Sequence, residues 1–133
     1  MGMNVKNHIP SPEMLILVYP LISLNTIEDV SLKAYMLSAM LGKDYAEEKI
    51  REYCIDENVD WDYPPVYYVQ CLDDAAAVPA NMEYMKCAME KAGILNFIDI
   101  MQHGGHGLGL GTKTDGDGWV ERVMRFYLEK VAK

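Results

Sequence analysis

The sequence predicts an α/β protein in which parallel strands are covered by helices. Three observations support this prediction. The chain has 133 residues, of which 50% are hydrophobic and 24% are charged, and this composition is typical of one globular domain. Short apolar runs alternate with longer stretches that have apolar residues at helical spacing. Their order, strand–helix–helix–strand–helix–strand–helix, implies right-handed crossovers between parallel strands.

Three segments of the sequence read as strands. Each is a short run that is rich in aliphatic, β-branched or aromatic residues. The predicted strands cover residues 15–19, 66–71 and 97–101. The first is a continuous apolar run, so we expect it to be buried on both faces. Three strands make a small sheet, and we expect one of its lateral edges to stay open, where it would invite pairing.

Four segments read as helices, covering residues 29–40, 45–54, 79–92 and 119–131. The third has Pro79 near its first turn and Gly93 just past its end, which is the usual asymmetry of helix termini. A stripe formed by Met82, Met85 and Met89 on that helix is typical of core packing rather than of a cofactor site. Between the second helix and the second strand, residues 55–65 form an irregular excursion that ends in two prolines.

The charge balance excludes two classes of partner. Twelve Lys and Arg residues against twenty Asp and Glu residues give a net charge of −8, and the pI is about 4.7. Nucleic acid and anionic membrane surfaces both require clustered positive charge, which the sequence lacks. We therefore expect neither a nucleic acid nor a membrane as a partner.

The longest apolar run and the cysteines indicate the cellular compartment in which we expect the protein. The longest apolar run, residues 14–22, is too short to span a bilayer and is interrupted by Pro20. Glu13 precedes it, which fits poorly with a secretory signal. The three cysteines lie in separate segments without CxxC spacing, so we expect neither a disulfide scaffold nor a zinc ribbon. A reducing, cytoplasmic compartment is the expectation.

Candidate chemistry follows two of the predicted strands. Asp73 and Asp74 come just after the second strand, and the glycine-rich loop His103–Gly111 follows the third. Ligands of open α/β sheets bind beyond the carboxyl ends of the strands. A carboxylate at one strand end can orient an imidazole at the next, and that imidazole can act as a general base. Each feature alone is weak, since such residues are more often a turn, a helix cap or a structural histidine.

Other interpretations of the glycine loop fail on spacing. In a phosphate-binding loop glycine directly precedes lysine, but Thr112 separates Gly111 from Lys113. A dinucleotide fingerprint requires a further glycine where Leu110 stands. His103 and His106 lack a third metal ligand at a suitable spacing, and the Asp-Gly-Asp-Gly sequence at 115–118 reads as a polar turn. The sequence therefore predicts no cofactor and no metal.

A series of short motifs carries a family resemblance. In order, they are Leu17-Val18-Tyr19-Pro20-Leu21-Ile22-Ser23, Asp56-Glu57-Asn58-Val59, Pro64-Pro65, Asp73-Asp74, Val78-Pro79, Asn81, Lys91-Ala92-Gly93 and the Gly-Gly-His-Gly run within 104–110. From about residue 12 to the end, the chain resembles the C-terminal half of an α/β-hydrolase. The most similar branch is that of bacterial carboxylesterases related to acetyl-xylan and feruloyl esterases.

The resemblance implies a fold and a set of site residues. Residues 1–133 would be the C-terminal portion of an α/β-hydrolase domain, a partial fold of three parallel strands with flanking helices, and the helical excursion 29–63 would form part of a cap over the substrate. His106 occupies the position of the family's triad histidine, and His103 would be a bystander. Asp74 matches the usual seven-residue spacing from the triad acid to Asn81, with Asp73 as the alternative because the Val-Pro pair is displaced by one residue.

One departure from the family pattern matters for function. The family's serine nucleophile sits in a Gly-x-Ser-x-Gly elbow, and no serine of this sequence has those glycines. The HGGG-type oxyanion segment is not found either.

The chain would then be the acid- and histidine-bearing half of a serine esterase that acts on a small ester once an N-terminal half supplies serine. Alternatively, it is a non-catalytic remnant or interaction module that pairs through its open strand edge. A third possibility is a hydrolase with Cys71 or Cys87 as nucleophile.

Overall fold

Three strands form a parallel sheet in chain order in the computed structural model, which describes residues 10–132. The strands are β1 (Leu15–Val18), β2 (Val66–Cys71) and β3 (Asn96–Met101). In the register of the sheet, Leu15 lies opposite Val66, and Val66 lies opposite Asn96. The predicted strands and their parallel order are confirmed. Because the strands are parallel, their carboxyl ends meet at one edge, where the loops that follow them can converge.

Four helices connect and cover these strands. They are α1 (Val30–Leu41), α2 (Glu47–Tyr53), α3 (Ala80–Ala92) and α4 (Trp119–Phe126), and α4 continues into a π-helical turn (Tyr127–Val131). Asp29 caps α1 by accepting a 2.8 Å hydrogen bond from the backbone N–H of Leu32. Gly93 ends α3 in the left-handed conformation, as the sequence predicts. Within residues 10–132, no helix is both long enough and apolar enough to cross a membrane.

The core is built on both sides of β2, whose six residues are all buried. Val66 and Tyr68 pack on one side with the buried methionines of α3, which are Met82, Met85 and Met89. Tyr67, Val69 and Cys71 pack on the other side with Val123 of α4. The predicted role of the methionine stripe in core packing is therefore confirmed.

The two outer strands are less buried than the sequence predicts. Ile16 of β1 is 47% exposed, so the expectation that this strand is buried on both faces is wrong. On β3, Phe97 and Ile100 are 46% and 48% exposed. Each outer strand pairs only with β2 within residues 10–132, so this part of the chain has two free sheet edges rather than the one expected.

The excursion between β1 and β2 has a small core of its own. Leu24, Leu37 and Cys54 are buried together, and partly buried residues of α1 and α2 pack around them. Asn81, at the start of α3, joins this excursion to the sheet. Its Oδ1 accepts hydrogen bonds from the backbone N–H groups of Ile22 (2.8 Å) and Ser23 (3.0 Å).

Candidate active site

Asp74 is anchored at the carboxyl end of β2 by hydrogen bonds to both of its carboxylate oxygens. Its Oδ1 accepts from the backbone N–H groups of Ala76 (2.8 Å) and Ala77 (2.9 Å). Its Oδ2 accepts from the side-chain amide of Gln70 at 3.3 Å. The side chain of Asp74 is fully buried. A buried carboxylate needs such partners, and they hold it in one orientation.

His106 lies against this carboxylate. Its Nδ1 is 3.0 Å from Oδ2 of Asp74, whereas 46% of its side chain is exposed. A carboxylate at this position stabilises the tautomer with the proton on Nδ1, because that nitrogen can then donate to it. In that tautomer the other ring nitrogen, Nε2, carries no proton and can accept one. The ring of Tyr19, the residue after β1, meets the imidazole edge-on with centroids 4.8 Å apart.

Asp73, the alternative acid, has different partners. Its Oδ1 accepts from the backbone N–H of Gly105 at 2.8 Å, and its Oδ2 accepts from that of Gly104 at 3.2 Å. These two hydrogen bonds, the stronger effect being that of Gly105, lower the pKa of the Asp73 carboxyl. Its side chain also lies 3.9 Å from Nδ1 of His103, which is 81% exposed. Asp74, and not Asp73, is thus the carboxylate that contacts His106.

The glycine-rich loop requires glycine where it passes over Cys71, the last residue of β2. Gly104 has a φ of +151°, and a methyl group added to it would lie 2.6 Å from Leu108 Cδ1 and 2.8 Å from the sulfur of Cys71. Both distances are too short for carbon in van der Waals contact. The absence of a side chain lets the loop pack on the end of β2, beside Asp73 and Asp74.

His106 opens onto a cleft of about 940 Å³. Most of its lining is apolar and comes from the end of β1, from α1 and from the loop that follows Asp74. The residues are Val18, Tyr19, Leu21, Thr26, Ile27, Glu28, Asp29, Leu32, Met36, Ala75, Ala76, Ala77, Val78, Ala80 and His106. Among these described residues there is no serine, cysteine, lysine or arginine. The hydroxyl of Thr26 already donates to the carbonyl of Ser23 at 2.7 Å.

Comparison with known proteins identifies the fold. No family model and no curated protein matches the sequence. Among solved structures, an acetyl ester-xyloside bifunctional hydrolase from Caldicellulosiruptor lactoaceticus is 24% identical, with a TM-score of 0.76 over 88% of this chain and 42% of its own. A carboxylesterase from Lactobacillus plantarum is 19% identical, with a TM-score of 0.74 over 97% and 50% of the two chains. An esterase from the planctomycete Thermogutta terrifontis is 18% identical, with a TM-score of 0.65 over 88% and 42%.

This chain has a partial α/β-hydrolase fold. It spans about half the length of the esterase structures that it matches. The fold class predicted from the sequence is confirmed. In such a fold, the segments after the strands form the site, and Asp74 and His106 follow β2 and β3.

The thiols of this α/β-hydrolase fold are poorly placed to act as nucleophiles. Cys54 and Cys71 are buried, and burial, followed by the nearby charge of Asp73, raises the pKa of the Cys71 thiol. Cys87 is exposed, but it lies on α3 and lines a separate groove with Trp61 and Tyr84. In the part of the chain that the structure describes, no three His, Cys, Asp or Glu side chains gather as a metal site would require.

Three residues around the site were given no role there on the basis of the sequence. Gln70 holds Asp74, Tyr19 flanks His106, and Asp115 accepts a 3.0 Å hydrogen bond from the backbone N–H of His103. Gln70 has a recognisable signal, because a glutamine within a buried apolar strand needs a polar partner. The contacts of Tyr19 and Asp115 join segments distant in sequence, and no local pattern indicates them.

Proposed function

We propose that this chain carries the acid and the base of a serine ester hydrolase, and that the serine they serve lies outside these 133 residues. One observation carries the proposal. The carboxylate of Asp74 is buried and accepts hydrogen bonds from Gln70, Ala76 and Ala77. It lies 3.0 Å from Nδ1 of His106, which is half exposed and borders a cleft. That pairing suits an imidazole that must accept a proton and hold the resulting positive charge.

The position of the nucleophile is inferred from what surrounds His106. The cleft lining contains no serine or cysteine among the described residues, and Thr26 is already hydrogen bonded. No serine in the sequence has the flanking glycines of a nucleophile elbow. The two free edges of the sheet, at β1 and β3, provide places where a further strand can pair. A strand that pairs parallel to β1 would place its carboxyl end next to Tyr19 and His106.

The proposed reaction proceeds in two steps. Nε2 of His106 takes the hydroxyl proton of the serine as its oxygen attacks the ester carbonyl, and Asp74 stabilises the imidazolium through Nδ1. The same Nε2 proton then passes to the leaving alkoxide, so that alcohol departs and an acyl-enzyme is left. In the second step, His106 deprotonates a water molecule that attacks the acyl-enzyme. The carboxylic acid is released and the serine regains its proton.

The cleft favours a small, uncharged ester. Its walls are mostly apolar, so they suit a short acyl or alkyl group. Glu28 and Asp29 are the charged residues of the lining, together with the titratable His106, and the whole chain carries a net charge of −8. A negatively charged ester would be repelled on approach. The free thiols of all three cysteines fit a reducing, cytoplasmic compartment.

The test uses purified protein and p-nitrophenyl acetate. The chain is assayed alone and mixed with the product of the adjoining upstream reading frame, in wild-type form and as His106→Ala. We expect turnover only in the mixture, with loss of turnover in the variant. Hydrolysis by the isolated chain that His106→Ala abolishes would contradict the external serine. A mixture that never turns over would contradict the proposed enzyme.

A non-catalytic interaction module is the second candidate. It is favoured by the half-exposed Ile16 on the outer strand β1, because an open apolar strand edge tends to pair. In that case, the chain would self-associate or bind another protein through β1. The variant Ile16→Lys would then abolish association while His106→Ala leaves it unchanged, and the mixture described above would have no esterase activity.

A further inference from the structure

We propose that Asp73 and Asp115 form a carboxylate clamp that positions the loop carrying His106. The adjacent residues Asp73 and Asp74 then have different roles, because Asp74 orients the imidazole whereas Asp73 holds the backbone that carries it. The proposal rests on the proposed function for its catalytic consequence. The clamp itself can be tested without turnover.

The clamp is defined by three consecutive backbone amides. The N–H of His103 donates to Asp115 at 3.0 Å, that of Gly104 to Asp73 at 3.2 Å, and that of Gly105 to Asp73 at 2.8 Å. Successive N–H groups that point to one side form a concave site with a preference for anions. Here the three amides donate to two carboxylates of the same chain, one from the end of β2 and one from the turn before α4.

The clamp lies immediately before His106 in the chain. The last clamped amide belongs to Gly105, so the backbone is held one residue before the imidazole. Within the loop itself, glycines at 104, 105, 107, 109 and 111 have positive φ angles, and such a backbone has little intrinsic preference for one conformation. Hydrogen bonds from outside the loop must therefore select the conformation that brings Nδ1 to Asp74.

Asp73 and Asp115 act from outside the reaction site. Neither lines the cleft, and the hydrogen bond to the ring of His106 comes from Asp74 rather than from either of them. Asp73 therefore has a positioning role, which differs from a purely structural role in one respect. Its loss should disturb the ring of His106 while the turn that holds Asp74, made by the amides of Ala76 and Ala77, stays intact.

The first test is spectroscopic and uses the 133-residue chain. In isotope-labelled protein, the proton on Nδ1 of His106 gives a downfield ring N–H resonance while it donates to Asp74. We expect Asp73→Ala and Asp73→Asn to broaden or remove that resonance and to move the Gly104 and Gly105 amide signals. The amide signals of Ala76 and Ala77 should not move. Asp60→Asn is the matched control, because Asp60 also accepts from a backbone amide, that of Asp62, before β2.

The second test uses the mixture that hydrolyses p-nitrophenyl acetate. We expect Asp73→Asn to lower kcat by about 10- to 100-fold, the size of effect that a small misplacement of a reacting group produces, with KM little changed. Asp73→Glu should restore part of kcat, because it restores the charge.

The outcomes separate the clamp from the proposed function. A His106 resonance that is unchanged in Asp73→Ala and Asp73→Asn would overturn the clamp. Loss of the dispersed amide signals of β2 and β3 in both variants would also overturn it, since Asp73 would then serve folding as a whole. If the wild-type mixture shows no turnover but the resonance still depends on Asp73, the proposed function fails and the clamp stands.

Discussion

Oδ2 of Asp74 lies 3.0 Å from Nδ1 of His106, although 32 positions separate the two residues in the chain. The parallel sheet brings them together, since β2 and β3 are neighbours and both residues follow the carboxyl ends of these strands. The carboxylate is buried and the imidazole is half exposed, so one group is held firmly while the other meets the cleft. This asymmetry is what an orienting acid and a working base require.

Replacing Asp74 tests the orienting role directly. Asp74→Asn keeps the size of the side chain but removes the negative charge that stabilises the imidazolium and its tautomer. In the complemented enzyme, we expect kcat to fall by about 10³- to 10⁴-fold with KM little changed. Asp62→Asn, an exposed carboxylate at the opposite end of β2, should leave kcat unchanged. Equal activity of wild type and Asp74→Asn would show that Asp74 is not the acid.

The pKa of Asp73 predicts a dependence of stability on pH. Its pKa is lowered in the folded chain by the amides of Gly105 and Gly104, so the ionised carboxylate favours folding. This contribution is present above the ordinary carboxyl pKa of about 4 and is lost as the pH falls through the lowered value. We expect wild type to exceed Asp73→Asn in free energy of unfolding near neutral pH, with the difference shrinking below about pH 4. Urea unfolding of both proteins across this range measures it, and a constant difference would refute the assignment.

Removal of the Asn81 side chain should loosen the helical excursion. Asn81→Ala leaves the buried N–H groups of Ile22 and Ser23 without their acceptor, which costs about 1–3 kcal/mol for each. We expect a lower free energy of unfolding and faster proteolytic cleavage within residues 24–54. Asn25→Ala, at an exposed position, is the control. Unchanged cleavage of the excursion in Asn81→Ala would show that this link does not hold it.

Thiol reactivity distinguishes the three cysteines. Cys87 is exposed, while Cys54 and Cys71 are buried, and burial raises the pKa of the Cys71 thiol. A disulfide reagent should therefore modify one thiol rapidly in the folded chain, and Cys87→Ala should remove that fast phase. Cys71→Ala should leave the esterase activity of the complemented enzyme intact. Loss of activity in that variant would restore the cysteine nucleophile as a possibility.

Local patterns in the sequence were enough to predict the parallel strands and the core role of the methionine stripe. Together with the family resemblance, they pointed to His106 as the proposed base and favoured Asp74 over Asp73 as the proposed acid. Which aspartate meets the imidazole depends on the side of the strand end that each faces, which local patterns do not show. In the structure, Asp74 lies 3.0 Å from Nδ1 of His106, whereas Asp73 accepts from the amides of Gly104 and Gly105. The exposure of Ile16 was missed because burial of an outer strand depends on its neighbours rather than on its own residues.

The most direct test of the account is to find where a serine-reactive probe binds. The wild-type mixture is treated with a fluorophosphonate, and the mass of each intact polypeptide is measured. We predict one adduct on a serine of the complementing polypeptide and none on the 133-residue chain, with the adduct lost when the chain carries His106→Ala. An adduct on the 133-residue chain, or labelling of the partner that is unaffected by His106→Ala, would contradict the account.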